Sequence, residues 1–150
     1  MTVRVSVHAK ATPTRVWELY ARPARWREWA PHVRSPRGLG DPEVTPGARG
    51  TIRLGGAVPI AATITAVEPG RSWSWHVGPA TLRHTVEPDG ERTSIGLEID
   101  APRALDAAIR VLYAPLTRLL LANLARAAGR QYAAQADSTK GASWRFRKRS

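Results

Sequence analysis

The sequence predicts an α+β domain in which a run of antiparallel strands precedes a long C-terminal helix. Two periodicities carry this prediction. Between residues 49 and 100, apolar and polar residues alternate, and turn residues interrupt the alternation at short intervals. After Pro102, the apolar residues recur at helical spacing instead. The length of 150 residues suits one domain that is large enough to bury a substantial core.

The first elements are a strand and a helix. Val3, Val5 and Val7 alternate with polar residues, which is typical of a half-buried strand. Thr12 followed by Pro13 is typical of a helix start, because threonine caps the first turn and proline fits its first position. We therefore expect a helix to begin directly after the first strand.

A second short helix is predicted to restart at Arg22-Pro23. Trp26 and Trp29 stand three residues apart on it, so they share one side. Residues 31–47 are rich in Pro and Gly and are predicted to form a loop.

Three hairpins make up the central part of the predicted sheet. Their turns are Glu68-Pro69-Gly70-Arg71, Gly78-Pro79 and Pro88-Asp89-Gly90. The predicted register pairs Val67 with Ser72, Ala66 with Trp73, Ile64 with Trp75, Trp75 with Leu82, Trp73 with His84, Val86 with Thr93, His84 with Ile95 and Leu82 with Leu97. This register gathers the large apolar residues on one face and leaves on the other Thr63, Ser74, His76, Arg83, Ser94 and Glu98. A slip of one residue would reverse the faces, so the agreement supports the register.

The C-terminal helix is predicted to be interrupted once. Proline fits poorly inside a helix, so Pro115 predicts a kink or break near Tyr113-Ala114, with the major helix running from Pro115 to about Gln135. Leu120 and Leu124 flank the predicted core-facing stripe, which consists of Leu105, Ile109, Leu112, Leu116, Leu119 and Asn123.

The net charge of +11 divides unevenly along the chain. Residues 138–150 contain no acid and five basic residues, Lys140, Arg145, Arg147, Lys148 and Arg149. We therefore predict a folded domain at residues 1–137 and a basic, flexible tail at residues 138–150. Trp144 and Phe146 interleave with the tail's charges, so a weak contact with an anionic membrane surface or with nucleic acid is an alternative role.

Several function classes are excluded by what the sequence lacks. It has no cysteine, so disulfides, thiol nucleophiles and Cys-containing zinc sites are excluded. No apolar run approaches a bilayer span and the N-terminus lacks a signal-peptide pattern, which predicts a cytoplasmic protein. There is no Gly-x-Ser-x-Gly elbow and no phosphate-binding glycine loop. His76 and His84 fall on opposite predicted faces, so we expect no metal site, and no cofactor is predicted.

Four segments in order carry a resemblance to a known superfamily. They are Ala11-Thr12-Pro13-Thr14-Arg15-Val16-Trp17, then Arg25-Trp26-Arg27-Glu28-Trp29, then Val67-Glu68-Pro69-Gly70-Arg71 with Trp75, then His84 with Glu87-Pro88-Asp89-Gly90 and Thr93. Over residues 3–136 the chain resembles the START-like (SRPBCC) superfamily, in its polyketide cyclase/dehydrase and lipid-transport group. The resemblance implies a helix-grip fold, in which a curved antiparallel sheet wraps around a long C-terminal helix and encloses an internal cavity.

The resemblance implies that the chain binds a hydrophobic small molecule, lipid- or polyketide-like, in that cavity. The candidate ligand-binding residues are Trp26, Trp29, Ile52, Leu54, Ile64, Trp73, Trp75, Leu82, His84, Leu97, Leu116 and Leu120. Tryptophans at such spacings are also ordinary core residues, and both interpretations stay open.

An alternative hypothesis is a polyketide cyclase or aromatase that catalyses an aldol-type cyclisation in the same cavity. His84 is then the general acid or base, and Tyr113 or Asn123 holds the developing oxyanion. The simpler interpretation makes His84 a hydrogen-bonded core histidine. Tyr20 and Tyr113 then anchor helix packing, with their hydroxyls reaching the surface.

Overall fold

A single antiparallel sheet of seven strands forms the body of the part of the protein that the structure describes. The structure is a computed structural model that describes residues 2–54 and 58–147, with the side chains of residues 2–54, 58–111, 113–130 and 133. Within this part of the chain, the strand order is β1-β7-β6-β5-β4-β3-β2. The strands are β1 (Thr2–Ala9), β2 (Val33–Arg37), β3 (Arg49–Leu54), β4 (Ile60–Glu68), β5 (Ser72–Val77), β6 (Ala80–Asp89) and β7 (Arg92–Asp100).

Helices lie at two places in the chain order. Between β1 and β2 come helix α1 (Pro13–Ala21) and a 3₁₀ helix (Pro23–Glu28). After β7 come a 3₁₀ turn (Arg103–Leu105), helix α2 (Asp106–Ala108), a π-helical segment (Ile109–Tyr113) and helix α3 (Ala114–Arg147). Helix α3 packs against β1, β7 and α1. The predicted α+β fold, with an antiparallel sheet and a long C-terminal helix, is confirmed.

Helix α1 begins where its sequence signals predict. The Oγ1 of Thr12 accepts a hydrogen bond from the Arg15 backbone N–H at 3.4 Å, and Pro13 is the first helical residue. One side of the helix is buried against the sheet through Val16, Leu19 and Tyr20. The cap and the apolar spacing therefore fix both the start and the orientation of this helix.

Strand β2 lies inside the segment predicted to be a loop, so this prediction is wrong for residues 33–37. The strand is at the edge of the sheet and pairs with β3 alone, and its register shifts between Arg34 and Arg37. Ser35 has a φ of 50°, and Pro36 has no N–H to donate. Proline and irregular backbone are tolerated at a sheet edge, so the turn-like composition concealed a real strand.

The β4–β5 hairpin has one irregularity that changes its register. Ile64 pairs with Trp75 as predicted, but a register shift separates this pair from the next. Beyond the shift Val67 pairs with Trp73 and Glu68 with Ser72, so the predicted pairs Ala66–Trp73 and Val67–Ser72 are wrong. The extra residue of a β-bulge lets both strands keep their buried faces despite the offset.

The next two hairpins differ in how well their turns were predicted. The two-residue Gly78-Pro79 turn pairs Trp75 with Leu82 and Trp73 with His84, as expected. Strands β6 and β7 are offset by two residues from the prediction, with observed pairs Leu82–Ile99, His84–Leu97, Val86–Ile95 and Pro88–Thr93. The predicted pairs Leu82–Leu97, His84–Ile95 and Val86–Thr93 are wrong, because β6 continues through Asp89 and the turn is Gly90-Glu91.

The two faces of the sheet are nevertheless those predicted. A shift of two residues leaves every side chain on its original face. The buried face carries Ile64, Trp73, Trp75, Leu82, His84, Val86, Ile95 and Leu97. The residues assigned to the other face are half-buried or exposed, namely Thr63, Ser74, His76, Arg83, Ser94 and Glu98.

The C-terminal helix breaks its regular geometry where Pro115 predicts. The π-helical segment ends at Tyr113 and the α-helix resumes at Ala114. A π turn holds one extra residue, which rotates the following helix by about 100° relative to a continuous one. Leu105 and Ile109, before the break, face the sheet side and line a pocket described below.

The predicted core-facing stripe is therefore wrong beyond the break. Leu116 is 37% exposed and Leu119 is 54% exposed. Core contact is made instead by Thr117, Leu121, Ala127 and Ala128, together with Leu124, which flanks the predicted stripe. The prediction assumes a regular α-helix throughout. The extra residue of the π-helical segment rotates the helix that follows, so Leu116 and Leu119 face solvent.

The helix also runs beyond its predicted end near Gln135: the described backbone is helical through Arg147. Ala, Gln and Arg are good helix formers, and no proline follows Pro115. Residues 148–150 lie outside the described part of the chain, as do the side chains from residue 134 onward. The role of residues 138–150 as a basic, flexible tail stays a prediction.

Candidate ligand-binding site

Two adjoining pockets lie between the sheet and the chain after β7. The outer pocket has a volume of about 210 Å³ and is lined by Val33, Ile52, Leu54, Trp75, Val77, Pro79, Ala80, Leu82, Ile99, Leu105, Ile109 and Tyr113. The inner pocket has a volume of about 50 Å³ and is lined by Tyr20, Trp29, Ala30, His32, Val33, Trp75, Leu82, His84, Leu97, Tyr113, Thr117, Leu120 and Leu121. Both pockets are lined by Val33, Trp75, Leu82 and Tyr113, so they lie side by side along these side chains.

The outer pocket has an almost purely hydrocarbon lining. Apart from the Trp75 indole and the Tyr113 phenol, each of its lining side chains is aliphatic. One wall comes from alternate residues of the sheet, and the opposite wall comes from Leu105, Ile109 and Tyr113. The π-helical segment therefore supplies a pocket wall, which agrees with the frequent placement of such segments at functional sites.

A parallel stack of three aromatic rings forms the floor behind the inner pocket. The ring of His84 lies on Trp73 with centroids 3.7 Å apart and an interplanar angle of 2°. Trp26 lies over Trp73 at 5.5 Å and 10°. Tyr20 meets His84 edge-on at 5.1 Å. Strands β5 and β6 create this arrangement, because Trp73 and His84 are directly paired across them.

Burial changes the acid–base chemistry of His84. The side chain is 5% exposed, and this desolvation lowers its pKa to about 3, while the backbone of Trp73 opposes the change with a smaller effect. The imidazole is therefore uncharged at neutral pH. A base with so low a pKa holds a proton weakly, which limits general acid–base catalysis near neutrality.

Hydrogen bonds to the backbone anchor three other aromatic side chains. Trp26 Nε1 donates to the Tyr20 carbonyl at 3.0 Å, and Trp29 Nε1 donates to the Leu19 carbonyl at 2.9 Å. The Tyr20 hydroxyl donates to the Gly96 carbonyl at 2.8 Å. Tyr20 is fully buried, so its hydroxyl does not reach the surface as the simpler interpretation expected. The two tryptophan bonds join the segment of the 3₁₀ helix to α1, and the Tyr20 bond joins α1 to strand β7.

The structure brings many of the predicted site residues to the two pockets. The outer pocket contains Ile52, Leu54, Trp75 and Leu82. The inner pocket contains Trp29, Trp75, Leu82, His84, Leu97 and Leu120, and Tyr113 borders both. Burial raises the pKa of the Tyr113 phenol, so this group also stays uncharged at neutral pH.

Five predicted residues lie away from both pockets. Trp26, Ile64 and Trp73 are buried in the core behind the pocket walls. Leu116 is on the solvent side of α3, because the π-helical segment rotates the helix that follows it. The Asn123 side chain accepts a hydrogen bond from the Arg126 guanidinium one helical turn further on. Of the three catalytic candidates, the structure therefore places His84 and Tyr113 together and Asn123 apart.

The sequence reasoning missed about half of the lining residues. Ile99 shares the alternation of Ile95 and Leu97, so a signal for it was present. The lining residues that were missed are Ala30, His32, Val33, Val77, Pro79, Ala80, Ile99, Leu105, Ile109, Thr117 and Leu121. Val33 falls in the segment predicted to be a loop, and Thr117 lies outside the stripe that one continuous helical phase predicts.

The described part of the chain lacks two other kinds of feature, a metal-binding cluster and a membrane-spanning helix. Among the described side chains, those of residues 2–54, 58–111, 113–130 and 133, no group of three His, Asp or Glu is arranged to hold a metal ion. Among the helices in the described part of the chain, none is both long and apolar enough to cross a bilayer.

An antiparallel sheet that grips a C-terminal helix, with pockets between them, defines a helix-grip domain. The family profile described as polyketide cyclase / dehydrase and lipid transport matches residues 1–140. The chain belongs to this family, and the resemblance found in the sequence is thereby confirmed. No curated protein matches the chain by sequence.

Solved structures of low sequence identity share the fold. Protein MLL2253 from Mesorhizobium loti has a TM-score of 0.70 at 18% identity, covering 84% of this chain and 95% of that one. A protein from Thermobifida fusca has a TM-score of 0.69 at 19% identity, with coverages of 86% and 93%. DynU16, from the dynemicin biosynthetic locus, has a TM-score of 0.65 at 24% identity, and this chain spans 46% of its length.

Proposed function

We propose that this protein binds a hydrophobic small molecule, lipid- or polyketide-like, in the outer pocket. The observation that carries the proposal is the hydrocarbon lining of a pocket of about 210 Å³ between the sheet and the π-helical segment. Apolar pockets with a few polar groups at one end are the usual form of small-molecule sites. The driving force is removal of apolar ligand surface from water.

The charge distribution supports a ligand without a formal charge in its buried part. No Lys, Arg, Asp or Glu side chain lines either pocket among the residues that the structure describes. The basic residues that dominate the net charge lie elsewhere on the chain. A buried ionic group would lose its hydration without gaining a counter-ion, which is unfavourable.

Binding is better supported than cyclisation. A cyclase that uses His84 as general acid or base needs a pKa close to the working pH, whereas burial lowers this pKa to about 3. The oxyanion candidate Asn123 lies outside the pockets and is engaged by Arg126. Tyr113 alone of the catalytic set offers a polar group to the outer pocket.

The proposal is tested by obstructing the pocket with one side chain. Ala80 lines the outer pocket, and Ala80→Phe places a phenyl ring there. We expect the affinity for the neutral fluorescent probe N-phenyl-1-naphthylamine to fall by about tenfold or more, because the ring occupies the probe's volume. Fluorescence titration measures this, and native mass spectrometry followed by extraction identifies any molecule that co-purifies.

Ala61→Phe is the matched control, because Ala61 is an exposed strand residue outside both pockets. It is expected to bind the probe as the wild type does. Equal probe affinity in Ala80→Phe and wild type, with both folded by circular dichroism, would contradict the proposal. Failure of the wild type to bind the probe would also contradict it.

A further inference from the structure

Buried polar atoms without partners are concentrated at the inner pocket. Among the described residues, six buried side-chain nitrogen or oxygen atoms have no hydrogen-bond partner. Four of the six belong to residues that line the inner pocket: His32 Nδ1, Trp75 Nε1, His84 Nδ1 and Thr117 Oγ1. The other two belong to Arg22 and Trp73, which line neither pocket. A polar ligand group at the inner pocket would satisfy atoms that the protein itself leaves unpaired.

Unpaired buried polar atoms are unfavourable, so such a cluster calls for a physical reason. Thr117 is the most deeply buried of the four residues, since it is 2% exposed, and it lies within helix α3. A helical threonine can bond to the carbonyl three or four residues earlier, whereas the Thr117 hydroxyl has no partner. The hydroxyl is therefore available to a bound molecule.

The four groups together can both donate and accept hydrogen bonds. The Trp75 indole N–H is a donor only, and the Thr117 hydroxyl can donate or accept. An uncharged imidazole has one donor and one acceptor nitrogen, so His32 and His84 can each supply either at Nδ1. This combination matches a hydroxyl group, which donates and accepts, and also a carbonyl oxygen, which accepts two bonds.

The inner pocket favours a neutral group over an anion. Burial lowers the pKa of His84 and also that of His32, so neither imidazole carries a positive charge at neutral pH. No Lys or Arg side chain lines the pocket within the described residues. A carboxylate placed here would be desolvated beside dipoles alone, with no opposite charge.

We infer that the inner pocket holds a neutral oxygen group, a hydroxyl or a carbonyl, of a ligand whose apolar body lies in the outer pocket. Four residues line both pockets, so the two lie side by side, and the inference is that one molecule reaches from one into the other. The inference rests on the proposed function and assigns its ligand class: a hydrophobic molecule with one neutral oxygen at its buried end, in preference to a hydrocarbon or a free acid.

Competition against N-phenyl-1-naphthylamine tests this with four matched compounds: naphthalene, 2-naphthol, 2-acetylnaphthalene and 2-naphthoate. We expect 2-naphthol or 2-acetylnaphthalene to compete about 3- to 10-fold more strongly than naphthalene, the gain given by one hydrogen bond. The stronger of the two identifies hydroxyl or carbonyl as the preferred group. The carboxylate of 2-naphthoate is expected to compete more weakly than either.

Thr117→Val removes the hydroxyl and keeps the side-chain shape. It is expected to remove most of the advantage that the oxygen-bearing compound has over naphthalene. Thr63→Val is the matched control, since Thr63 lies on the opposite face of the sheet, and it is expected to retain the advantage. Trp75→Phe removes the indole N–H and provides a second test if Thr117→Val is poorly folded.

The outcomes separate this inference from the proposed function. If all three neutral compounds compete equally, or if both pocket variants retain the advantage, the inference is overturned while hydrophobic binding stands. Strongest competition by 2-naphthoate overturns the neutral ligand class. If the wild type binds neither the probe nor any compound, the proposed function fails and the inference with it.

Discussion

At His84, burial within the aromatic stack links protonation to folding. A histidine in an unfolded chain has a pKa near 6.5, and burial lowers the pKa of His84 to about 3. Between these values the unfolded chain binds more protons than the folded one. Stability from this group is therefore complete above about pH 6.5 and is lost as the pH falls toward 3.

We expect the free energy of unfolding to decrease by up to about 1.4 kcal/mol for each pH unit below 6.5 on account of this one imidazole. Urea unfolding between about pH 5 and pH 7, above the range in which most carboxyl groups titrate, measures the slope. His84→Phe keeps a flat ring in the stack and removes the titrating nitrogens, so its slope is expected to be shallower.

His76→Gln is the control, because it removes an exposed imidazole from the other sheet face and leaves His84 in place. The steep loss of stability in acid is expected to persist in this variant. An unchanged slope in His84→Phe would show that the acid sensitivity originates elsewhere.

At the scale of elements, the close pairing of β2 with β3 depends on a glycine. A Cβ atom built at Gly50 would lie 1.8 Å from the carbonyl oxygen of Arg37, and 2.9 Å from its carbonyl carbon. Both are backbone atoms of the edge strand, so they cannot give way without losing strand pairing. We expect Gly50→Ala to lower the free energy of unfolding by about 1–3 kcal/mol, measured by urea denaturation.

Strand β2 also supplies Val33 to both pockets, so Gly50→Ala is expected to weaken probe binding as well. Gly129→Ala is the matched control within α3. A Cβ atom added there would lie 3.7 Å from its nearest neighbour, the carbonyl oxygen of Lys10. Because this contact distance is ordinary and alanine favours a helix more than glycine does, we expect the free energy of unfolding to rise by about 0.5–1 kcal/mol. Equal stability of the two variants would contradict the close approach.

The elements that were predicted correctly are those with a strong local signal. The Thr12-Pro13 helix start and the Gly78-Pro79 turn depend on neighbouring residues alone, and both are confirmed. The bulge in β4, the edge strand β2 and the two-residue offset of β7 depend on contacts between distant segments. These contacts left no clear mark in the local sequence, so the detailed register was not predictable there.

The helix face shows how one local irregularity affects a long element. The position of the break followed from Pro115, but the form of the break did not. A proline is compatible with a kink, a break or a π turn, and these differ in the phase of the helix that follows. The pocket residues Thr117 and Leu121 became assignable only once the π turn was seen.

At the scale of the whole molecule, the sequence predicted the kind of site better than its polar details. Alternation placed Trp75, Leu82 and His84 on the buried face, because sheet faces survive shifts of two residues. The inner pocket also needs His32, which precedes the unpredicted strand, and Thr117, which follows the break. The hydrogen-bonding groups of the inner pocket therefore come together only in the folded domain, from three segments that are distant in the sequence.

The basic C-terminal segment is the part of the whole molecule that is separable from the pockets. All lining residues fall between Tyr20 and Leu121, whereas removal of residues 138–150 lowers the net charge from +11 to +6. We expect this truncation to reduce salt-sensitive binding to phosphatidylglycerol vesicles, since each basic residue near an anionic surface contributes about 1 kcal/mol. Vesicle sedimentation at low and high ionic strength measures the effect, and probe affinity is expected to stay unchanged.

A second variant, the charge variant, distinguishes whether the truncation weakens vesicle binding by removing positive charge or by removing the end of the helix. It keeps the full length and carries the changes Lys140→Gln, Arg145→Gln, Arg147→Gln, Lys148→Gln and Arg149→Gln. If charge draws the chain to the vesicle, this variant binds as weakly as the truncated chain, and added salt reduces wild-type binding toward the same level. If the charge variant binds like the wild type while the truncation does not, the apolar side chains Trp144 and Phe146 or the helix itself make the contact. Vesicle binding that survives both changes would assign the contact to the folded domain.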